Sequence, residues 1–352
     1  MRHQKQIQIF TKTKLIKMNT KTAIFLIMAI LGAACQLPQK TKETQPAKLK
    51  ILIDTDANNE LDDQHALAYA FLNSDVFDVV GVTVNNTRNG DGIQGQYDEA
   101  MRVIRLFNLE NKVPLYMGAD KSYAEIVPYI SEPEFDGKPA VDFIIEEAMK
   151  MQDEKLVLLP VGKLTNIALA IKKEPKIVEK VRVVWLGANY PDPGEYNLDN
   201  DTTSVNPVIE SGVPFEMVTV RYGKPSGTAA VTVTREEVQQ NLAGKGPKSN
   251  TEITGRHGGT FTSFGDYSAN LFEHAQMHGN PPSRALFDMA AVAVVKNPDW
   301  AEQKEIPAPR LQGIGWIEQP ENQNKIIIWE NFDRNAIVND LFQLMDKATP
   351  KD

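Results

Sequence analysis

Cysteine is almost missing: Cys35 stands alone among 352 residues. A disulfide framework is thereby excluded, and so is any zinc site built on paired thiolates. Histidine is scarce as well, at five. His274 and His278 have a zinc-compatible spacing, but Ala275 follows the first where a zinc protease needs Glu, and histidines near a helix C-terminus are favoured by its dipole anyway. The apolar run Ala23–Leu31 falls short of the ~20 residues that a spanning helix needs. Positive charge is in deficit, with 38 Lys and Arg against 46 acids and a net charge of −8. Six of those cations precede Cys35 and no acid does, so the remainder carries 32 against 46, or −14. Such a surface argues against a nucleic-acid polymer as partner, because phosphate binding needs a basic field. A phosphate loop is absent around Gly162-Lys163 too: Val157 replaces its first Gly, and Leu164 its Ser or Thr.

What is present is globular: 42% hydrophobic and 24% charged residues, enough apolar material for a sizeable core. The N-terminus reads as a targeting segment over residues 1–35. Lys21 precedes the apolar run, Gly32-Ala33-Ala34-Cys35 closes it, and Met18 gives a compact alternative start. Cys35 stands where a bacterial lipoprotein is cleaved and acylated, although Leu31 lies one place earlier than usual; an ordinary signal peptide is the plainer alternative. Either reading expects an exported protein, periplasmic or anchored as a lipoprotein, with its only membrane contact at that lipid. Residues 36–48 are polar and contain proline, as a tether does. A single domain is expected over 49–347.

That domain is organised around Lys50–Phe71, KILIDTDANNELDDQHALAYAF. A branched apolar run, Ile51-Leu52-Ile53, reads as a buried strand, and Ala66, Leu67, Ala70 and Phe71 fall on one face of a helix. Between them sit Asp54, Asp56, Glu60, Asp62 and Asp63. A solvated turn with Asp62 as helix cap is the plain alternative. Acids this dense repel one another unless a cation joins them, and hard oxygen ligands favour calcium or magnesium over zinc. An EF-hand is excluded: Asn59 occupies its Gly position and His65 its Glu position.

Downstream, strand-like and helix-like segments alternate. Asp78–Val84 reads as a strand leaving into Asn85-Asn86, Lys155–Gly162 as a strand before a helix, and Arg182–Gly187 as another strand. Ser268–His278 reads as a helix. Ala285–Val295 starts an apolar helix that a lone acid, Asp288, enters; such an acid needs a cap role or a cation. The pattern predicts an α/β fold with a largely parallel central sheet flanked by helices. Its site is expected at the strand C-terminal edge.

Asp54-x-Asp56 at a strand end, followed by the pair Asp62-Asp63, resembles the opening of the inosine–uridine-preferring nucleoside hydrolases. So do Lys155–Ala170, the Glu195-Tyr196-Asn197 motif with Asp201 four residues beyond Asn197, and Asp288. Two departures stand out. Five residues, Ala57–Leu61, separate Asp56 from the acidic pair, two more than the family pattern, and Phe287 occupies a position the family gives to His. The resemblance implies hydrolysis of a ribonucleoside to free base and ribose. It implies Ca2+ held by Asp56, Asp63, Asp288 and the Val161 carbonyl, with Asp62 as general base. It implies sugar contacts from Asn86 (or Asn85), Asn189, Glu195 and Asn197, a stacking place for Phe287, and a homo-oligomer. With no His at 287, His274, His278 and Tyr267 are the candidate acids for the leaving base. Two alternatives stay open: a hydrolase of another N-riboside on the same scaffold, and a non-catalytic, calcium-dependent nucleoside- or sugar-binding lipoprotein.

Overall fold

Ile51 and Ile53 of strand β1 (Leu49–Thr55) pack on one side of the central sheet and Leu52 on the other, and all three are fully buried. The same alternation runs through β4 (Leu156–Pro160) and β5 (Val181–Leu186). A sheet apolar on both faces must be covered on both, which is the circumstance of parallel strands. The computed structural model describes residues 47–351. The signal segment, Cys35 and nearly all of the expected tether lie outside the described residues.

The sheet has eight strands in the order β9-β10-β6-β5-β4-β1-β2-β3, where β2 is Phe77–Val84, β3 Leu115–Met117, β6 Phe215–Val218, β9 Glu302–Pro307 and β10 Lys325–Glu330. All neighbours are parallel except the edge pair β9–β10. This is the α/β architecture expected from the alternating pattern. One face carries α1 (Asp62–Leu72), α2 (Gly92–Leu106), α6 (Phe264–His274), α7 (Phe287–Lys296) and α8 (Arg334–Ala348). The other carries α3 (Lys138–Met149) and α4 (Thr165–Lys173). A short helix, α5 (Tyr196–Asn200), follows β5.

Helices α1 and α7 differ from ordinary surface helices. Every residue from Asp62 to Phe71 is buried, as is every residue from Asp288 to Val295. A helix apolar on all sides belongs inside a protein, and these two bring their N-terminal acids inside with them.

One segment differs from the sequence reading. The helix expected over Ser268–His278 starts earlier and stops at His274, with Ala275 already extended. Gly279-Asn280-Pro281-Pro282 follows, and proline cannot continue a helix, so His278 lies in a separate bridge with Ser283. Within Arg221–Phe264 the chain forms a hairpin, β7 (Lys248–Thr254) with β8 (Thr260–Ser263). His257-Gly258-Gly259 makes its turn, and both glycines hold positive φ, +83° and +77°.

Trp185 joins the second core to the sheet edge: it is fully buried, and its indole N–H donates to the Gly162 carbonyl at 3.0 Å. Trp185→Ala should cost about 3–5 kcal/mol, as large aromatic truncations in cores do. Urea unfolding followed by far-UV dichroism measures it, and a loss below about 1 kcal/mol would contradict this packing.

Candidate active site

The carboxyl ends of β1, β4 and β5 meet the N-termini of α1 and α7, and that junction gathers the acids. Asp62 and Asp63 lie in the first turn of α1 and Asp288 in the first turn of α7. Asp62 is the first residue of its helix; the cap position belongs to Leu61, which makes no side-chain cap bond. One carboxylate oxygen from each of Asp62, Asp63 and Asp288 lies within 4.8 Å of the others, and all three residues are buried. Helix N-termini carry partial positive charge and favour acids, but a half-charge each is small against three carboxylates.

Neutral donors orient the surrounding acids. Thr55 Oγ1 donates to Asp63 at 2.5 Å and Thr87 Oγ1 to Asp56 at 2.6 Å. Asn85 and Asn166 donate to Asp54 Oδ1 at 3.2 and 3.0 Å, while Asp54 Oδ2 is buried with no partner. The cation whose charge reaches Asp54 and Asp56 is Lys163, and its ammonium donates to the Asp120 and Lys121 carbonyls at 3.0 and 2.8 Å, while Arg284 is paired with Glu60. Burial pushes the carboxyls of Asp56 and Asp62 up to about 7, and their acidic neighbours add to the rise. Burial likewise drives Asp63 and Asp288 well above the usual carboxylate range, reinforced by the charges of Asp56 and Asp62.

Gly162 lets the β4 end come this close: a Cβ there would sit 2.8 Å from Asp56 Oδ1 and 2.6 Å from the Asn85 amide. The adjacent Val161 carbonyl accepts one bond from Asn197 Nδ2 at 2.9 Å. A carbonyl has two lone pairs, so one remains. The donor set is oxygen throughout, which fits a hard divalent cation, and the buried triad could hold one.

These groups line a cavity of about 640 Å3. Asp56, Asp62, Asp63, Val161, Glu195, Asn197, Phe287 and Asp288 all face it. Glu195 Oε2 collects backbone N–H bonds from Ala188, Asn197 and Leu198, leaving Oε1 for the cavity. Asn197 Nδ2 is spent on Val161 and Leu186 carbonyls, leaving its Oδ1. Leu186, Ala229, Tyr222 and Phe287 supply apolar surface to the same cavity, with the two aromatic rings edge to face at 6.0 Å.

Other sequence candidates stand elsewhere. Asn86 turns away to Asp120 at 2.6 Å, while Asn85 is fully buried beneath the acids. Asn189 does not line the cavity; its Oδ1 accepts from the Tyr222 N–H at 2.9 Å and so braces a residue that does. Tyr267 is buried against Glu99 at 2.5 Å, and His274 is exposed and stacked on His257 at 4.5 Å. Of the three candidate acids, His278 alone reaches the cavity. Tyr222, in a stretch without periodicity, and Arg284, four residues before Asp288, are lining residues that escaped the sequence reading; Glu60, one of the clustered acids, is the partner of Arg284.

The family described as inosine-uridine preferring nucleoside hydrolase matches residues 51–335. The pyrimidine-specific ribonucleoside hydrolase RihB of Escherichia coli is 26% identical over 287 residues, covering 74% of this chain and 82% of that protein. An uncharacterized protein of Schizosaccharomyces pombe is 25% identical over 225 residues, covering 56% and 69%. Among solved structures, a plant nucleoside hydrolase superposes with a TM-score of 0.66 at 17% identity, covering 85% of this chain and 99% of that one. A purine-preferring ribonucleoside hydrolase from Gardnerella vaginalis gives 0.63 at 20% identity, covering 85% and 98%.

Calcium should raise the thermal unfolding midpoint, EDTA should reverse the rise, and Asp288→Asn should remove most of it. An ion at 100 times its Kd stabilises by about 2.7 kcal/mol, readily seen by differential scanning fluorimetry. An unchanged midpoint at millimolar calcium would mean that the acids hold no such ion.

Proposed function

The chain belongs to the inosine-uridine preferring nucleoside hydrolase family, and on that premise we propose that it cleaves the N-glycosidic bond of ribonucleosides to free base and ribose. The observation that supports this most is one cavity lined both by buried carboxylates from two helices and by a pair of aromatic rings. Asp56, Asp63, Asp288 and the Val161 carbonyl would hold calcium, all of them oxygen donors at the cavity wall. When bound, the ion supplies positive charge that grips the ribose hydroxyls and makes a neighbouring water more acidic.

The chain's own residues then divide the work. Glu195 Oε1 accepts a hydroxyl of the sugar, and Asn197 Oδ1 accepts another, so the ring is oriented from two points. Asp62 takes a proton from the attacking water as general base. The C1′–N bond loosens through an oxocarbenium-like state, whose positive charge the surrounding carboxylates stabilise. Phe287 and Tyr222 offer faces for a flat base. Asp62 belongs to the same close triad as Asp63 and Asp288, so its duty as base rather than ligand is what the decisive variant must separate. We also carry forward export with a lipid on Cys35 as part of this reading.

Free ribose should appear when the protein meets a panel of nucleosides, and EDTA should stop it. Asp62→Asn should lower kcat by about 10²–10⁴-fold, the usual share of a positioned base, with nucleoside Kd and the calcium-induced midpoint shift little changed. A loss under ten-fold would remove Asp62 from that role. Calcium-dependent nucleoside binding with no ribose release would make the protein a binder instead. Labelled palmitate should enter the wild type in a bacterial host and not Cys35→Ser; no label in the wild type would defeat the anchor.

A further inference from the structure

The cavity lining contains one arginine and no lysine, and nothing in the scheme above uses that arginine. Arg284 lines the wall between Ser283 and Ala285, on a short strand paired with Thr232–Thr234, three residues before Phe287. One guanidinium nitrogen is ion-paired with Glu60. Another donates to His278 Nε2 at 3.1 Å. The third, Nε, is buried and has no partner. Arginine only donates. With Nε closed off from solvent, a ligand in the cavity meets the guanidinium through its terminal nitrogens.

Glu60 is held in place to position this group. Its backbone carbonyl accepts from Arg256 at 2.9 Å. The residues just before it are pinned as well: Asn58 N–H donates to Gln96 at 2.6 Å, and Asn59 Oδ1 accepts from Asn89 at 3.2 Å. The lengthened acidic loop thus delivers one carboxylate to the cavity mouth, where it meets Arg284.

We propose that Arg284, anchored by Glu60, stabilises the negative charge of the departing base. This rests on the hydrolase reading given above. Breaking the C1′–N bond leaves both electrons on the base; water gives its hydroxyl to C1′ and its proton to Asp62. The base departs as an anion hydrogen-bonded to the guanidinium and takes a proton from solvent, Asp62 returns its proton to solvent, and nucleoside plus water becomes ribose plus free base. Phe287 has no proton to give. His278 accepts from Arg284 through Nε2, so that nitrogen has no proton to hand to the base.

A paired substrate comparison tests the assignment. p-Nitrophenyl β-ribofuranoside carries the same sugar but a leaving group that is stable as its anion without help. Arg284→Met should lower kcat on natural nucleosides by about 10²–10³-fold, as removal of one charge-stabilising donor does, and lower cleavage of the nitrophenyl riboside far less. Arg284→Lys should recover part of the loss, and Glu60→Gln should show the same substrate bias in weaker form. An unchanged calcium-induced midpoint shift certifies that each variant is folded; should Arg284→Met fail that check, the bias in Glu60→Gln decides. Equal losses on both substrates, or a change confined to KM, would overturn the proposal. So would a wild type that cleaves the nitrophenyl riboside and no nucleoside. A wild type inert toward both would instead overturn the hydrolase reading on which it rests.

Discussion

Mutual repulsion among buried carboxylates is the constraint that shapes this protein. Asp62, Asp63 and Asp288 are fixed at close range by the starts of two helices that have no solvent-facing side. Ionised, such groups are costly to bury, and one removed from water normally either finds a counter-charge or stays protonated. Here the threonines and asparagines around them orient oxygens without neutralising them. The fold therefore keeps a standing demand for positive charge at one point. Rigid packing of α1 against α7 stops the acids from relaxing apart.

Sequence was informative wherever the physics is local. Alternation along β1, β4 and β5 reports the two buried faces directly, because successive side chains must point opposite ways. Asp56, Asp62 and Asp63 are visible because they crowd one connection, and Asp288 because a single acid enters an otherwise apolar helix. The choice between Asn85 and Asn86 was not visible: one step along the chain turns the side chain from the buried acids to Asp120. Tyr267 and His274 share a helix with no local sign of where it faces. Their partners, Glu99 and His257, come from other parts of the chain. Arg284 was least legible, since its role depends on Glu60, far away in sequence.

The cavity lining mixes two kinds of group, and the proposed reaction would use both. Carboxylates suit a sugar developing positive charge, while the aromatic rings and the Arg284 guanidinium would suit a base developing negative charge. A site with acids on every side could assist the sugar only by opposing the base.

The length of the acidic loop bears on the same mixed lining. Two extra residues between Asp56 and the acidic pair would disturb the acids if the loop set their positions, but it does not. Asp56 is placed by the end of β1 and by Thr87, while Asp62 and Asp63 are placed by α1, whose buried length is locked against the sheet and α7. Slack between two independently anchored ends must go outward. It does so at Asn58, Asn59 and Glu60, where bonds from Gln96, Asn89 and Arg256 take it up. An insertion there leaves the placement of the acids alone, and its effect falls where Glu60 meets Arg284.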